Sequence, residues 1–290
     1  MNRLGCLVLS ATLAANVQAA IDESLPDPTF GAAGYRYVPF NAGGGDNETL
    51  VKTLAAADGS LYLVGTASVD GGSRIAITRL SHDGKVVLDF GTNGRYVGAA
   101  KNETATGAAL DPQGAIVVAA NANLPSGDIA GRLCRVSTSG EAVNFAGTNK
   151  SCITLAFNAL NDGLIDQIGG ITIDAQGRIL VTGASQQADG VHLALARLTP
   201  NGNLDLTFSG DGRVTRLGAD FMRWSGAAVA VNGDKMLVVR SAQRSSDGKI
   251  SGLTVRFDDH GAFIEARTTF DNAIGEAAFT DIIRSKDSKF

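Results

Sequence analysis

The sequence predicts an all-β protein, a β-propeller of four-stranded antiparallel blades. Three observations carry that expectation: the composition, a repeat near 60 residues, and four strand-like segments inside each repeat. Of 290 residues, 44% are hydrophobic, 36 are Gly and only 6% are aromatic. Gly-rich chains with Val/Ile/Leu runs and frequent Asp–Gly and Asn–Gly pairs favour short strands joined by tight turns. The repeat is marked twice. "AAADGSLYLVG" (55–65), "LDPQGAIVVAA" (110–120), "IDAQGRILVTG" (173–183) and "AVNGDKMLVVR" (230–240) align on Gly59, Gly114, Gly177 and Asp234. "ITRLSHDG", "LCRVSTSG", "LARLTPNG" and "TVRFDDHG" align on Arg79, Arg135, Arg197 and Arg256, spaced by 56, 62 and 59 residues.

Within the third unit the strand candidates are Gly170–Asp174, Arg178–Ala184, Val191–Leu198 and Gly212–Leu217, with turns at Ala175–Gly177 and Thr199–Gly202. Four short antiparallel strands per unit is the pattern of a propeller blade. A blade buries its faces only against neighbours, which accounts for runs such as "LYLV", "IVV" and "ILV" that are apolar on successive residues. Units fall at about 49–98, 104–154, 166–215 and 223–270, with a partial unit at 275–290. A third marker is a Phe followed by a Gly/Asn/Asp turn: "DPTFGAAGYRY" (27–37), "VLDFGTNGRYV" (87–97), "VNFAGTNKSCI" (143–153) and "DLTFSGDGRVT" (205–215). Its first copy precedes the first complete unit, and the last unit stops early. The expectation is a truncated form of a longer chain.

The motif series resembles the bacterial delta-60 repeat, a β-propeller unit of roughly 60 residues. "LDLTFSGDGRV", "AQGRILVTG" and "LALARLTPNG" carry the likeness in the third unit, and "FGTNGRY", "DGSLYLVG" and "ITRLSHDG" in the first. The second unit departs at Ala146 and Lys150, and the fourth lacks a Phe–Gly turn. The resemblance implies a propeller fold and an exported or surface location more than any chemistry.

Residues 1–19 read as a signal peptide: Arg3 supplies the positive end, Leu4–Ala15 the apolar segment, and cleavage is expected after Ala19. That leaves residues 20–290 as the propeller, placed outside the cytoplasm, in the periplasm, at the surface or secreted. No later run is long enough to span a bilayer as a helix. Cys134 and Cys152 flank a turn-rich stretch symmetrically, which predicts a disulfide across adjacent strands, against the alternative of two buried thiols.

The formal charge is −4 with both signs interspersed, so no nucleic-acid partner is expected. Only three His exist, His82 and His260 in turns and His192 opening a strand, and no nucleophile motif accompanies them. No catalytic residue, transition-metal set or cofactor is expected. Calcium is the one ion with candidate ligands, at Asp27, Asp89, Asn93, Asp205 and Asp211. The recurring Arg79, Arg135, Arg197 and Arg256, with Phe90, Phe208, Gly210 and Gly212, are assigned to structure, because a feature of every blade is explained by what blades share. Phe221, Met222 and Trp224 are placed before the fourth unit's first strand. Loops such as 122–131, 185–190 and 242–248 vary while strands repeat, so a protein or glycan ligand is expected on the loop face. The resulting expectation is a binding or scaffold module, with a channel-mouth enzyme and a calcium-stabilised adhesion segment as rivals.

Overall fold

The computed structural model describes residues 26–40, 47–157, 166–187, 190–216, 221–233, 235–244, 250–268 and 282. These residues form a β-propeller of four four-stranded antiparallel sheets, each a meander in chain order. Blade 1 holds β1 (Thr49–Ala55), β2 (Leu61–Val69), β3 (Gly72–Leu80) and β4 (Arg95–Val97). Blade 2 holds β5 (Glu103–Leu110), β6 (Ile116–Asn123), β7 (Ile129–Val136) and β8 (Cys152–Leu155). Blade 3 holds β9 (Asp166–Ile173), β10 (Ile179–Gln187), β11 (Gly190–Leu198) and β12 (Arg213–Arg216). Blade 4 holds β13 (Phe221–Asn232), β14 (Lys235–Arg244), β15 (Ile250–Asp258) and β16 (Phe263–Thr268). No described residue is helical, and no described helix is long and apolar enough to cross a membrane.

The second strand of each blade is apolar on both faces because both faces are covered. Val117, Ala119 and Leu133 of blade 2 meet Ile179, Val181 and Ala196 of blade 3 in one core. Tyr62, Val64 and Ile77 meet Val118 and Cys134 between blades 1 and 2, and Leu180 and Leu195 meet Met236 and Val238 between blades 3 and 4. The first strands stand side by side in the order β1, β5, β9, β13 and wall a central channel.

The Phe–turn motif proves to be a latch between blades. Phe30, Phe90, Phe145 and Phe208 are buried. Each packs against the β3–β4-type turn glycine of the next blade: Gly84, Gly140, Gly202 and Gly261 have no room for a Cβ beside these rings. A backbone amide follows each ring across the junction. Gly31 N–H donates to Asp83 O (2.8 Å), Gly91 to Ser139 (2.7 Å), Gly147 to Asn201 (2.9 Å) and Ser209 to His260 (2.8 Å). The insertion of Ala146 in the second unit only moves the donor one residue on. Burying each ring stabilises its junction by about 2–3 kcal/mol.

Cys134 and Cys152 form a disulfide between paired positions of β7 and β8. β16 pairs with β15 although its turn lacks the Phe–Gly sequence; Phe263 packs edge-on to Phe257 instead. Phe221, Met222 and Trp224 lie within β13, so the fourth blade's first strand begins earlier than its sequence suggests. The signal-peptide residues 1–19 and almost all of the partial unit 275–290 lie outside the described residues, of which Ile282 is the one described there.

Candidate functional site at the channel mouth

The eight residues singled out by the repeat lie at the edge of the ring that carries the β1–β2 and β3–β4 turns. Arg79 bonds Asp58 of its own blade and the Thr138 carbonyl of the next, with its guanidinium 5.4 Å from the Tyr62 ring centroid. Arg135 bonds Asp111. Arg197 sits 4.8 Å from the Phe208 ring centroid, bonds Asp205 (2.8 Å) and Thr207 (3.0 Å), and donates to the Asp259 carbonyl of blade 4. Thr138 and Asp259 occupy equivalent turn positions, so two of these arginines tie neighbouring blades in the same way. Arg256 pairs with Glu265. Gly212 (φ +84°) has Leu204 within 2.9 Å of where a Cβ would stand, whereas Gly210 faces open space. Asp174 accepts from Arg178, which leads into the neighbouring strand β10.

Among the potential calcium ligands, Asp27, Asp205 and Asp211 accept turn hydrogen bonds from Thr29, Thr207 and Arg213. No group of three or more His, Cys, Asp or Glu that could hold a metal ion occurs among the described residues.

The opposite end of the channel is different. Each first strand there carries a β-bulge: register shifts fall between Leu50 and Lys52, Ala105 and Gly107, Thr182 and Gly183 opposite Gly169, and Ser225 and Ala228. The extra residue in each bulge leaves the ladder and re-aims its neighbours toward the channel. Two polar side chains pin these bulges across blades. Thr66 Oγ1 accepts from Ala105 N–H (2.9 Å), and Asn121 both donates to Ile168 O (3.0 Å) and accepts from Ile168 N–H (2.8 Å). A channel cavity of about 360 Å³ is walled by all four first strands and touches Lys52. A second cavity of about 360 Å³ lies toward the loop face, lined among others by Thr106, Asn121, exposed Gln167, Ala184 and Arg240.

Blade 3 also carries a buried polar row that sequence reading missed. Register places Asp166 opposite Ser185 and Ser185 opposite His192, all turned toward blade 2 and all buried. Asp166 accepts the Phe157 N–H (2.9 Å). These are the residue types of nucleophilic catalysis in the wrong order. A proton relay needs the imidazole between acid and hydroxyl, and here the fully enclosed Ser185 stands between the other two. Equivalent positions read Ala67–Arg74 in blade 1 and Glu103–Ala122–Ala130 in blade 2.

Glu103 is itself buried, with Arg132 3.5 Å away. Burial pushes its carboxyl above the ordinary 4.5, and Arg132 pulls it back only in part. A raised acid pKa in the folded state means the fold binds the extra proton, so stability falls as pH rises from 4.5 through the raised value. Glu103→Gln is therefore expected to flatten this loss. Urea denaturation at pH 4.5 and at pH 7 checks it; a variant that loses ground to the parent as pH rises would refute it.

Two stretches of this chain match a β-propeller family. A family model described as a domain of unknown function (DUF5122) beta-propeller covers residues 56–86 and 176–208, the turn–strand–strand core of blades 1 and 3. Solved structures with a similar fold include an exo-1,5-α-L-arabinanase from a bovine ruminal metagenomic library. It has 12% identity and TM-score 0.49, over 81% of this chain and 85% of that one. An endo-arabinase from Bacteroides thetaiotaomicron VPI-5482 has 11% identity and TM-score 0.45, over 78% and 82%. A fucose lectin from Kordia zhangzhouensis, in complex with methyl-fucoside, has 14% identity and TM-score 0.35, over 59% and 99%. No curated protein matches the propeller in sequence.

Proposed function

We propose that this chain is an exported propeller of the delta-60 kind that acts as a binding module, taking a glycan at the loop-face mouth of its channel. One observation carries the reading. Residues that depart from the blade repeat gather at that mouth, whereas the opposite edge repeats its latches blade after blade. Asn121, Gln167, Thr106 and the bulge at Gly169 present amide, hydroxyl and peptide groups to one cavity. Such groups suit sugar hydroxyls, and a pocket of this size falls in the roughly 300–1,000 Å³ range of small-ligand sites. The Cys134–Cys152 disulfide fits an oxidising compartment.

The test is calorimetric titration of the purified chain with a panel of neutral and acidic disaccharides. At least one is expected to bind, and Gln167→Ala, an exposed truncation, to weaken it about tenfold, the loss of one good hydrogen bond. Absence of binding across the panel, or binding indifferent to Gln167→Ala, would overturn the reading.

A further inference from the structure

We propose that the outer edge of β8 is a docking site for an acidic, extended segment of a partner protein, which joins blade 2 as a fifth strand. The site stands on the rim of the ring, away from the channel, and is independent of the glycan reading above.

β8 is the last strand of its sheet, so one edge pairs with β7 and the other is open. Ile153 lies opposite Leu133 and Leu155 opposite Gly131, in phase with the bond from Arg135 N–H to Ser151 O. Backbone groups of 151, 153 and 155 therefore serve the ladder, and those of Cys152 and Thr154 turn outward, where no described residue meets them. An open edge is a template for pairing with another chain, and proteins commonly guard it with charged residues, Pro or a bulge. The other outer strands carry charges: β4 reads "RYV", β12 "RVTR" and β16 "FIEART". β8 reads "CITL", with neither charge nor Pro, and its register with β7 is unbroken. The Cys134–Cys152 disulfide ties it to β7, so this edge is held firmly in place.

What stands beside the edge selects the segment. A cavity of about 590 Å³ runs along β8 to Leu198, Leu204 and Arg213 of blade 3. Three cations line it, Arg132, Lys150 and Arg213, and among the described residues no acidic side chain does. Glu103 lies 3.5 Å from Arg132 and Asp211 3.8 Å from Arg213, both off the cavity wall. Lys150 is exposed and forms no ion pair among the described residues. A basic surface of this kind complements a negative occupant. Two features favour a peptide over an acidic sugar. Outward N–H and C=O groups at alternate residues are what an added strand pairs with. The walls alternate as well: Cys152 and Thr154 share the face of Arg132, whereas Ile153 and Leu155 face blade 3. The segment that fits alternates acidic and apolar residues.

Thr154→Pro is the discriminating variant. The Thr154 N–H points away from β7, so Pro removes no ladder bond and sits where edge strands tolerate it, yet it takes a donor from the docking edge. Fluorescence anisotropy of the full chain with a labelled peptide alternating Glu and Val reads the binding. That peptide is expected to bind, to lose about tenfold in affinity for Lys150→Glu, and to lose all binding to Thr154→Pro. A peptide alternating Lys and Val should not bind. Absence of binding by the acidic peptide, equal binding of the two peptides, or binding indifferent to Thr154→Pro would each overturn the proposal. Polygalacturonate bound in a way that Lys150→Glu abolishes and Thr154→Pro does not would assign the groove to an acidic glycan instead. A dimer of the chain that Thr154→Pro dissolves would assign the edge to a second copy, and either result overturns the peptide site. Should Thr154→Pro fail to fold, acidic peptides N-methylated at alternate residues, in each of the two phases, remove the same bonds from the other side. One phase should then lose binding to the unaltered chain, and binding of both would refute strand addition.

Discussion

Arg197→Met is expected to destabilise the propeller by about 3–5 kcal/mol, the range for breaking a buried ion pair by removing one partner. Arg197 is only 3% exposed at its side chain, and Met would keep its stem while stranding Asp205. Four contacts go at once: Asp205, Thr207, the Asp259 carbonyl across the blade junction, and the Phe208 ring. The Asp259 carboxylate at 2.9 Å contributes less, because it is 32% exposed and solvent screens it. Arg256 is the control. It holds the same repeat position but is 38% exposed and faces Glu265, so Arg256→Met should cost about 1 kcal/mol or less. Equilibrium denaturation of both variants checks the ranking. Equal losses would refute burial as the cause, and an Arg197→Met chain with full stability but a lost ligand would make that arginine a binding residue.

Blade architecture was legible because every blade solves the same packing problem with the same residues. Phe90 and Phe208 recur since each junction needs a ring against a turn glycine, and the small residue at each turn recurs since only it admits that ring. The channel mouth was illegible for the opposite reason. "DQIGG" reads as a turn leading to a strand at Gly170, but β9 begins at Asp166 and Gly169 is its bulge, so Asp166 and Gln167 fell outside the expected strand. His192 looked solitary because its neighbours Ser185 and Asp166 meet it only through strand register. Arg240 carried a readable signal: it ends the stretch that aligns with Gly65, Ala120 and Gly183, and breaks it. Repetition identifies scaffold, and it is the exceptions to repetition that point to a site.

That contrast yields a prediction at Gly183, the counterpart of Arg240. Gly183→Ala should destabilise the propeller by about 3 kcal/mol, at the upper end of overpacking effects. An added Cβ would stand 1.9 Å from the Gln167 carbonyl oxygen and 2.9 Å from the Phe157 ring, so relief requires moving β9, not rotating a side chain. The displaced strand carries Gln167 and the bulge at Gly169, and saccharide affinity should fall together with stability. Gly210→Ala separates close approach from backbone preference. Gly210 has a φ of +85° with open space around it, so its variant bears only the left-handed strain, about 1 kcal/mol, and leaves the channel mouth untouched. Blade 2 holds Ala120 at the equivalent place, fully buried and paired with Ala105, which shows that the fold can seat one methyl group there when the strands are spaced for it. If Gly183→Ala costs no more than Gly210→Ala, then β9 shifts as freely as β5 has done. The position would then be a tunable gap along the whole ring, with Arg240 as its widest setting.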